Sequence, residues 1–317
     1  MAYYFLLVVL TFATFLSVVC TSAFCVHLSW PALAAPSERM LPGSRARALF
    51  MLRAFPAFAG ALAAVLCSWS FVRYEPARTV EQPGLILIAA AVGTLCLGAI
   101  ALIRTGQAWA RSIACSRLAH HCERRTRDGA SVCVVRTAYP LAAVTGVFRP
   151  RMIVSDALLS SCPDDEIDLI FAHEAAHVNR ADNLARVLVL LLPDPLRLLS
   201  AGRRIENAWS AAVEEAADDD AAGGIPERRA ALASALVRVA GLARTPPPTW
   251  MPELAFFQGD NLERRVRRLL APGPVKARCL APLEPCALAA TALIVTWVAI
   301  QASAFHGLLE WALRILP

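Results

Sequence analysis

The feature that most constrains this chain is a set of four long apolar runs without a charged residue. They cover residues 2–26, 54–72, 84–103 and 285–305. A helix needs about 20 apolar residues to cross a bilayer, and each run meets that length. The first run has no basic residue before it and is longer than the apolar core of a signal peptide, so we expect a retained span. The runs predict a mainly α, polytopic membrane protein with four transmembrane helices.

Arginines between the runs predict the orientation. The first loop carries Arg39, Arg45 and Arg47 against Glu38, and the stretch before the last run is rich in arginine near both membrane ends. Cytoplasmic segments carry the excess of basic residues, so both are predicted to be cytoplasmic in the cell (inner) membrane, with the N-terminus outside. The expected organisation has three parts. They are residues 1–104 with three spans, residues 105–280 as a cytoplasmic α+β domain, and residues 281–317 with the fourth span and a short tail.

The net charge of +6 also raises the question of nucleic-acid binding. No recognisable nucleic-acid-binding motif accompanies the charge, so no direct nucleic-acid partner is expected and the lipid bilayer is the predicted partner of the basic residues. The ten cysteines form no CxxC pair. We therefore expect neither a cysteine-type zinc site nor a disulfide framework.

The middle stretch mixes helix and strand signals. Residues 108–127 lack proline and glycine and predict a helix, whereas 131–137 and 152–155 are rich in β-branched residues and predict strands. Residues 140–150 predict a bend because they contain glycine and proline. A helix is expected from residue 164, since acidic residues in a first turn suit the helix dipole.

The sequence HEAAH at residues 173–177 is an HExxH motif on this helix. Residues four apart share a helix face, so His173 and His177 can hold one zinc ion. Glu174 is predicted to be the general base, because its carboxylate can reach water at the metal more easily than the metal itself. The motif predicts metal-dependent peptide hydrolysis, with an extended peptide pairing with the strand at residues 152–155.

A catalytic zinc needs a third protein ligand, and no third histidine follows closely. The acidic run at residues 213–220 is the better source, and Glu214 would complete a His₂Glu site. Asp218 would share a face with Glu214 and hydrogen-bond the far nitrogen of a ligand histidine. Glu215 with Asp219 is the rival register and stays open.

Three segments, FRPRMIVSDALL, DDEIDLIFAHEAAHVNRADNL and AAVEEAADDDAA, resemble the BlaR/MecR-type membrane metallopeptidases, which are antirepressor or beta-lactam signalling peptidases. The resemblance implies a gluzincin-like zinc domain between the third and fourth spans. It also implies an ExxxD motif whose Glu is a ligand, matched by Glu214 and Asp218. The family tends to carry an Asp five residues after the second histidine, and Asp182 matches.

The expected function is therefore that of a membrane zinc endopeptidase acting on a protein or peptide. The resemblance implies an antirepressor role, with a transcriptional repressor as one substrate. Two alternatives remain: a membrane quality-control or CAAX-type zinc endopeptidase, and a non-enzymatic, zinc-stabilised signal transducer. A transducer would not need Glu174, because a structural zinc site has no use for a base.

Overall fold

The computed structural model of the chain is mostly helical over the residues that it describes. The residues it describes are 2–75, 82–118, 123–127, 130–147, 150–243 and 261–271. The fourth predicted span, at 285–305, lies outside the described residues.

Three helices are long and apolar enough to cross a membrane: α1 (Ala2–Glu38), α2 (Pro42–Tyr74) and α3 (Leu85–Leu118). All three extend beyond the predicted spans. The second predicted span begins after Arg53. In the structure Arg53 lies inside α2, where it is buried and pairs with Asp194. An arginine with a buried counterion does not end a helix, so the uncharged run understated the helix length.

A four-stranded sheet follows α3, in the order β1 (Glu123–Arg127), β2 (Ala130–Val135), β4 (Arg151–Ser155), β3 (Ala142–Thr145). The strands β2 and β4 are parallel, and the other pairs are antiparallel. The strands predicted at 131–137 and 152–155 are present as β2 and β4.

Three predictions about this region are wrong and a fourth is partly right. The helix expected over 108–127 ends at Leu118, and β1 occupies its last part. The bend expected over 140–150 begins at Gly146, which has φ 93°, but β3 occupies the residues before it. The strand β4 lies between two neighbours and cannot offer a free edge to a peptide. Cys133 of β2 is disulfide-bonded, although no disulfide was expected.

The remaining elements are helices. They are α4 (Asp156–Ser161), α5 (Asp164–Asn179), α6 (Asp182–Leu191), a 3₁₀ turn (Pro195–Leu198), α7 (Ser200–Ala222), α8 (Pro226–Leu242) and α9 (Leu262–Leu270). Three acidic residues occupy the first turn of α5, where their negative charge interacts favourably with the positive end of the helix dipole.

Two apolar cores meet at α7. One joins the sheet to α5, α8 and α9, with Leu158, Ile170 and Leu236 fully buried. The other joins the C-terminal end of α1 and the N-terminal end of α2 to the start of α7, where Ile205 and Trp209 are buried. The helix α7 is therefore packed from both sides, which fixes the side chains that it directs at α5.

Candidate metal centre

The helix α5 places both histidines of the HExxH motif on one face. His173 is fully buried and His177 is nearly so. Their Nε2 atoms lie 3.2 Å apart, with the two rings almost perpendicular. Two ligand atoms bound at about 2.0–2.1 Å to one tetrahedral ion lie about 3.3 Å apart, so this spacing fits a shared ion.

The helix α7 brings Glu214 to the same point. Its Oε2 lies 3.5 Å from His173 Nε2, and its Oε1 lies 3.7 Å from His177 Nε2. One ligand atom from each of the three residues lies within 4.8 Å of the other two. Two imidazoles and a carboxylate are a donor set typical of catalytic zinc, so these residues fit a metal ion on chemistry as well as on spacing.

A carboxylate lies close to Nδ1 of each histidine. Asp218 Oδ1 lies 3.0 Å from His173 Nδ1, and Asp182 Oδ2 lies 2.7 Å from His177 Nδ1. In the neutral imidazole that binds a metal, an acceptor at Nδ1 favours the tautomer with the proton on that nitrogen, so the lone pair is on Nε2. Each ring is thus held with Nε2 facing Glu214.

Asp182 reaches its histidine because the chain reverses sharply between α5 and α6. Ala181 has φ 55°, in the left-handed region that residues with a side chain seldom adopt. Such a conformation costs about 1–2 kcal/mol for a residue other than glycine. Strain of this kind is retained where the fold needs the geometry, and here it places the first residue of α6 against His177.

Glu174 is almost completely buried, at 1% exposure, and the backbone N–H of Val144 in β3 donates to its carboxylate. Its Oε1 has no hydrogen-bond partner among the described residues. Burial raises the pKa of this carboxyl, and the imidazoles of His177 and His173 only partly offset that effect. A raised pKa brings a carboxylate closer to the range in which a general base works best.

The charges of the site are strongly coupled. Burial opposes protonation of His173, but the carboxylates of Asp218 and Glu214 outweigh it and raise the pKa of the imidazole to about 9. Burial would raise the pKa of Glu214, yet His173, Arg265 and His177 hold it well below its usual range. The carboxylates therefore provide the negative potential that a divalent cation requires.

Sequence reasoning missed one buried residue of the site, Arg265 of α9. Its guanidinium holds Asp218 through two hydrogen bonds of 2.8 and 2.7 Å, and its Nη1 lies 3.3 Å from Glu214 Oε2. The basic segment LERRVRRLL, residues 262–270, by itself indicates only a solvated or headgroup-facing helix, and a basic run carries no signal for which arginine turns inward. The period of its apolar residues was the available clue, since Leu262, Arg265 and Leu269 share a face.

The other acids of α7 also have arginine partners. Glu215 is buried and contacts Arg264 and Arg45, and Asp219 contacts Arg268. Glu215 thus lies on arginines rather than at the histidines. Like charges on one short helix repel each other. Arginines of α2, α6 and α9 contact the acidic run and relieve that repulsion, so the run does not by itself require a metal.

We expect Arg265→Ala to lower the free energy of unfolding of the metal-free protein by about 3–5 kcal/mol, because the change leaves Asp218 buried without its counterion. Chemical unfolding in detergent, followed by tryptophan fluorescence, measures this. Arg267→Ala is the matched control on α9, since its side chain is 78% exposed and pairs only with Glu263 among the described residues. An Arg265→Ala protein that unfolds at the same denaturant concentration as the control would contradict the expected role.

A family model described as BlaR1 peptidase M56 matches residues 84–269, more than half of the 317-residue chain. The match begins at α3 and ends within α9, so it includes both helices that carry the candidate ligands. No curated protein and no solved structure matches the chain.

Proposed function

Because the chain belongs to the BlaR1 peptidase M56 family, whose members are membrane-associated metallopeptidases, we propose that it is an integral membrane zinc endopeptidase that hydrolyses peptide bonds of a protein substrate. The observation that carries the proposal is the convergence of His173, His177 and Glu214, with ligand atoms within 4.8 Å of one another. Glu174, the adjoining buried carboxylate, is the proposed catalytic residue. Asp218 and Asp182 are the proposed positioning residues behind the histidines.

The two imidazoles and Glu214 would hold Zn²⁺ and leave a coordination position open. When bound, the ion supplies Lewis acidity that polarises the scissile carbonyl and lowers the pKa of water towards about 7. Asp218 and Asp182 accept from the Nδ1 side of each imidazole, which leaves Nε2 as the nitrogen aimed at the site. Their role is to orient the ligands without touching the substrate.

Glu174 would perform the proton transfers. Its unpartnered Oε1 accepts a proton from the attacking water, and the same oxygen then delivers that proton to the nitrogen of the departing amine. The Val144 N–H and the nearby imidazoles stabilise the ionised form, so the carboxylate can act as a base despite its burial. Glu174 is 1% exposed, and the low dielectric constant of buried surroundings strengthens these electrostatic effects.

For topology, we propose a multi-pass protein of the cell (inner) membrane with the catalytic domain in the cytoplasm and the N-terminus outside. Three helices of sufficient length and the arginine distribution support this arrangement. The substrate would then be a cytoplasmic protein or a cytoplasmic segment. In the regulatory version of the proposal, suggested by the antirepressor family, that protein is a transcriptional repressor.

Two other functions compete with this one. A membrane quality-control or CAAX-type peptidase would use the same chemistry on other substrates. A non-enzymatic transducer would use the ion only to stabilise the fold. The buried Glu174 argues against the transducer, because burying an unpaired carboxylate oxygen costs stability and a structural site gains nothing from it.

Substrate capture with Glu174→Gln in cells tests the proposed function. The variant retains the ligands and lacks the base, so uncleaved substrate should stay bound and be recovered by crosslinking and mass spectrometry. We expect a cytoplasmic protein that is shortened in cells with the parent protein and intact with the variant. The double variant Glu174→Gln, Glu214→Gln is the control and should capture less.

The outcomes separate the candidates. A captured repressor supports the regulatory version, whereas misfolded membrane proteins alone would favour quality control. Two negative results together would favour the transducer. They are that the variant captures no protein and that the purified, zinc-loaded parent protein cleaves no peptide.

A further inference from the structure

A cavity of about 300 Å³ lies between the inner end of α3, the helices α6 and α7, and the turn that follows β3. This volume is at the lower end of the range for sites that bind small ligands. Its walls include the apolar side chains of Trp209 and Val187 and the polar side chains of Thr145 and Arg186. None of these four residues has a role in the chemistry proposed above.

The cavity adjoins the candidate metal centre on two sides. Arg186 places Nη2 3.4 Å from Oε1 of Glu214, one of the three candidate ligands. Thr145 directly follows Val144, whose N–H donates to the carboxylate of Glu174. A peptide bond held at the metal centre would therefore place a flanking side chain at the cavity.

Two buried hydrogen-bond donors in the cavity wall have no acceptor among the described residues. They are the hydroxyl of Thr145, a residue that is 2% exposed, and the Nε–H of Arg186. Buried polar groups are nearly always hydrogen-bonded, and an unpaired one is destabilising. Both groups can donate, so one acceptor, such as a carboxylate, would satisfy them together.

The charge of the cavity wall favours an anion. Arg111 and Arg186 line it together with one acid, Glu206. That acid already faces two arginines, with Arg53 Nη2 at 3.4 Å and Arg197 Nη1 at 3.8 Å. Of the three charged residues described in the cavity wall, two are arginines, one of which, Arg186, also faces Glu214, so the wall carries more positive than negative charge.

We propose that this cavity binds an acidic side chain, glutamate in the first instance, of the substrate residue that flanks the scissile bond. The inference rests on the proposed function, because a scissile bond presupposes a peptidase. The glutamate carboxylate accepts hydrogen bonds from the Arg186 Nε–H and the Thr145 hydroxyl. Its methylene groups contact Trp209 and Val187. Thr145 and Arg186 are then specificity-determining residues.

Matched peptides test the assignment. Three peptides differ only in a residue flanking the scissile bond, which is Glu, Gln or Leu, and a fourth carries the Glu several residues away. We expect kcat/KM for the flanking Glu peptide to exceed the other three by about ten- to a hundredfold, the usual effect of hydrogen bonds to a charged group. Thr145→Val removes one donor with little change of shape and should reduce this preference. Arg186→Gln removes the charge and should abolish it.

A binding measurement provides an arm that does not depend on turnover. Fluorescence anisotropy of the same peptides on zinc-loaded Glu174→Gln protein should show tighter binding of the flanking Glu peptide. In that background, Thr145→Val should reduce the difference in affinity between the flanking Glu peptide and the others, and Arg186→Gln should remove it. The second variant provides the test if the first fails to fold.

Equal cleavage and equal binding of the Glu, Gln and Leu peptides would overturn the inference and leave the peptidase intact. If the zinc-loaded parent protein cleaves none of the peptides, the proposed function is overturned. The anisotropy measurement alone would then decide whether the cavity selects an acidic side chain. A Glu preference unchanged in both variants would also overturn the assignment to this cavity.

Discussion

Glu174→Gln should reduce kcat for peptide hydrolysis by about 10²–10⁴-fold, the range expected on loss of a general base. Glutamine keeps the size of the side chain and still accepts a hydrogen bond from Val144. It cannot take the proton of the attacking water, because its amide is not basic. The measurement is the cleavage rate of a defined peptide by purified full-length protein in detergent, with the zinc content of each sample determined in parallel.

Zinc stoichiometry and thermal stability should be close to those of the parent protein, because the atom that changes had no hydrogen-bond partner among the described residues. Treatment with a chelator should stop cleavage by the parent, and added Zn²⁺ should restore it. Substantial hydrolysis by zinc-loaded Glu174→Gln protein would remove this residue from the mechanism.

Glu214→Gln should weaken zinc binding by more than about 100-fold, since loss of a ligand should exceed the 10–100-fold effect typical of its outer partners. The reason is that the Glu214 carboxylate is the third member of the group formed with His173 and His177. The measurement is zinc affinity by competition with a chelating dye, together with metal content after dialysis.

Glu215→Gln is the matched control one residue along the same helix. Its carboxylate contacts Arg264 and Arg45, so the change should leave zinc affinity nearly unaltered and lower the unfolding midpoint instead. The reverse pattern, with zinc lost from Glu215→Gln and kept by Glu214→Gln, would favour the rival register.

Local sequence patterns were sufficient for the membrane helices and the motif on α5. An apolar run has the same consequence wherever it stands in a chain, and three of the four predicted runs lie in helices that are long enough to span a membrane. The HExxH spacing is equally local, because a helix brings residues four apart to one face. The fourth run lies outside the described residues and stays a prediction.

Long-range contacts could not be predicted from such local patterns. Whether Glu214 or Glu215 faces α5 depends on the rotation of α7. That rotation is determined by the packing of Ile205 and Trp209 against the C-terminal end of α1 and the N-terminal end of α2. The inward position of Arg265 depends on how α9 docks on α7, which no local signal specifies. The strand β3 was missed because it is only four residues long and follows a proline-containing segment.

The apolar seam between α7, the C-terminal end of α1 and the N-terminal end of α2 limits how this protein can be divided into fragments. Trp30 and Leu49 from the membrane helices pack in the same core as Ile205 and Trp209. A water-soluble fragment that begins after α3 would leave that seam uncovered, and exposed apolar patches of this kind promote self-association. The helix that carries Glu214 would also lose one of its two supports. The smallest unit to express for enzymology is therefore the chain with its membrane helices, in detergent or lipid, rather than an excised domain.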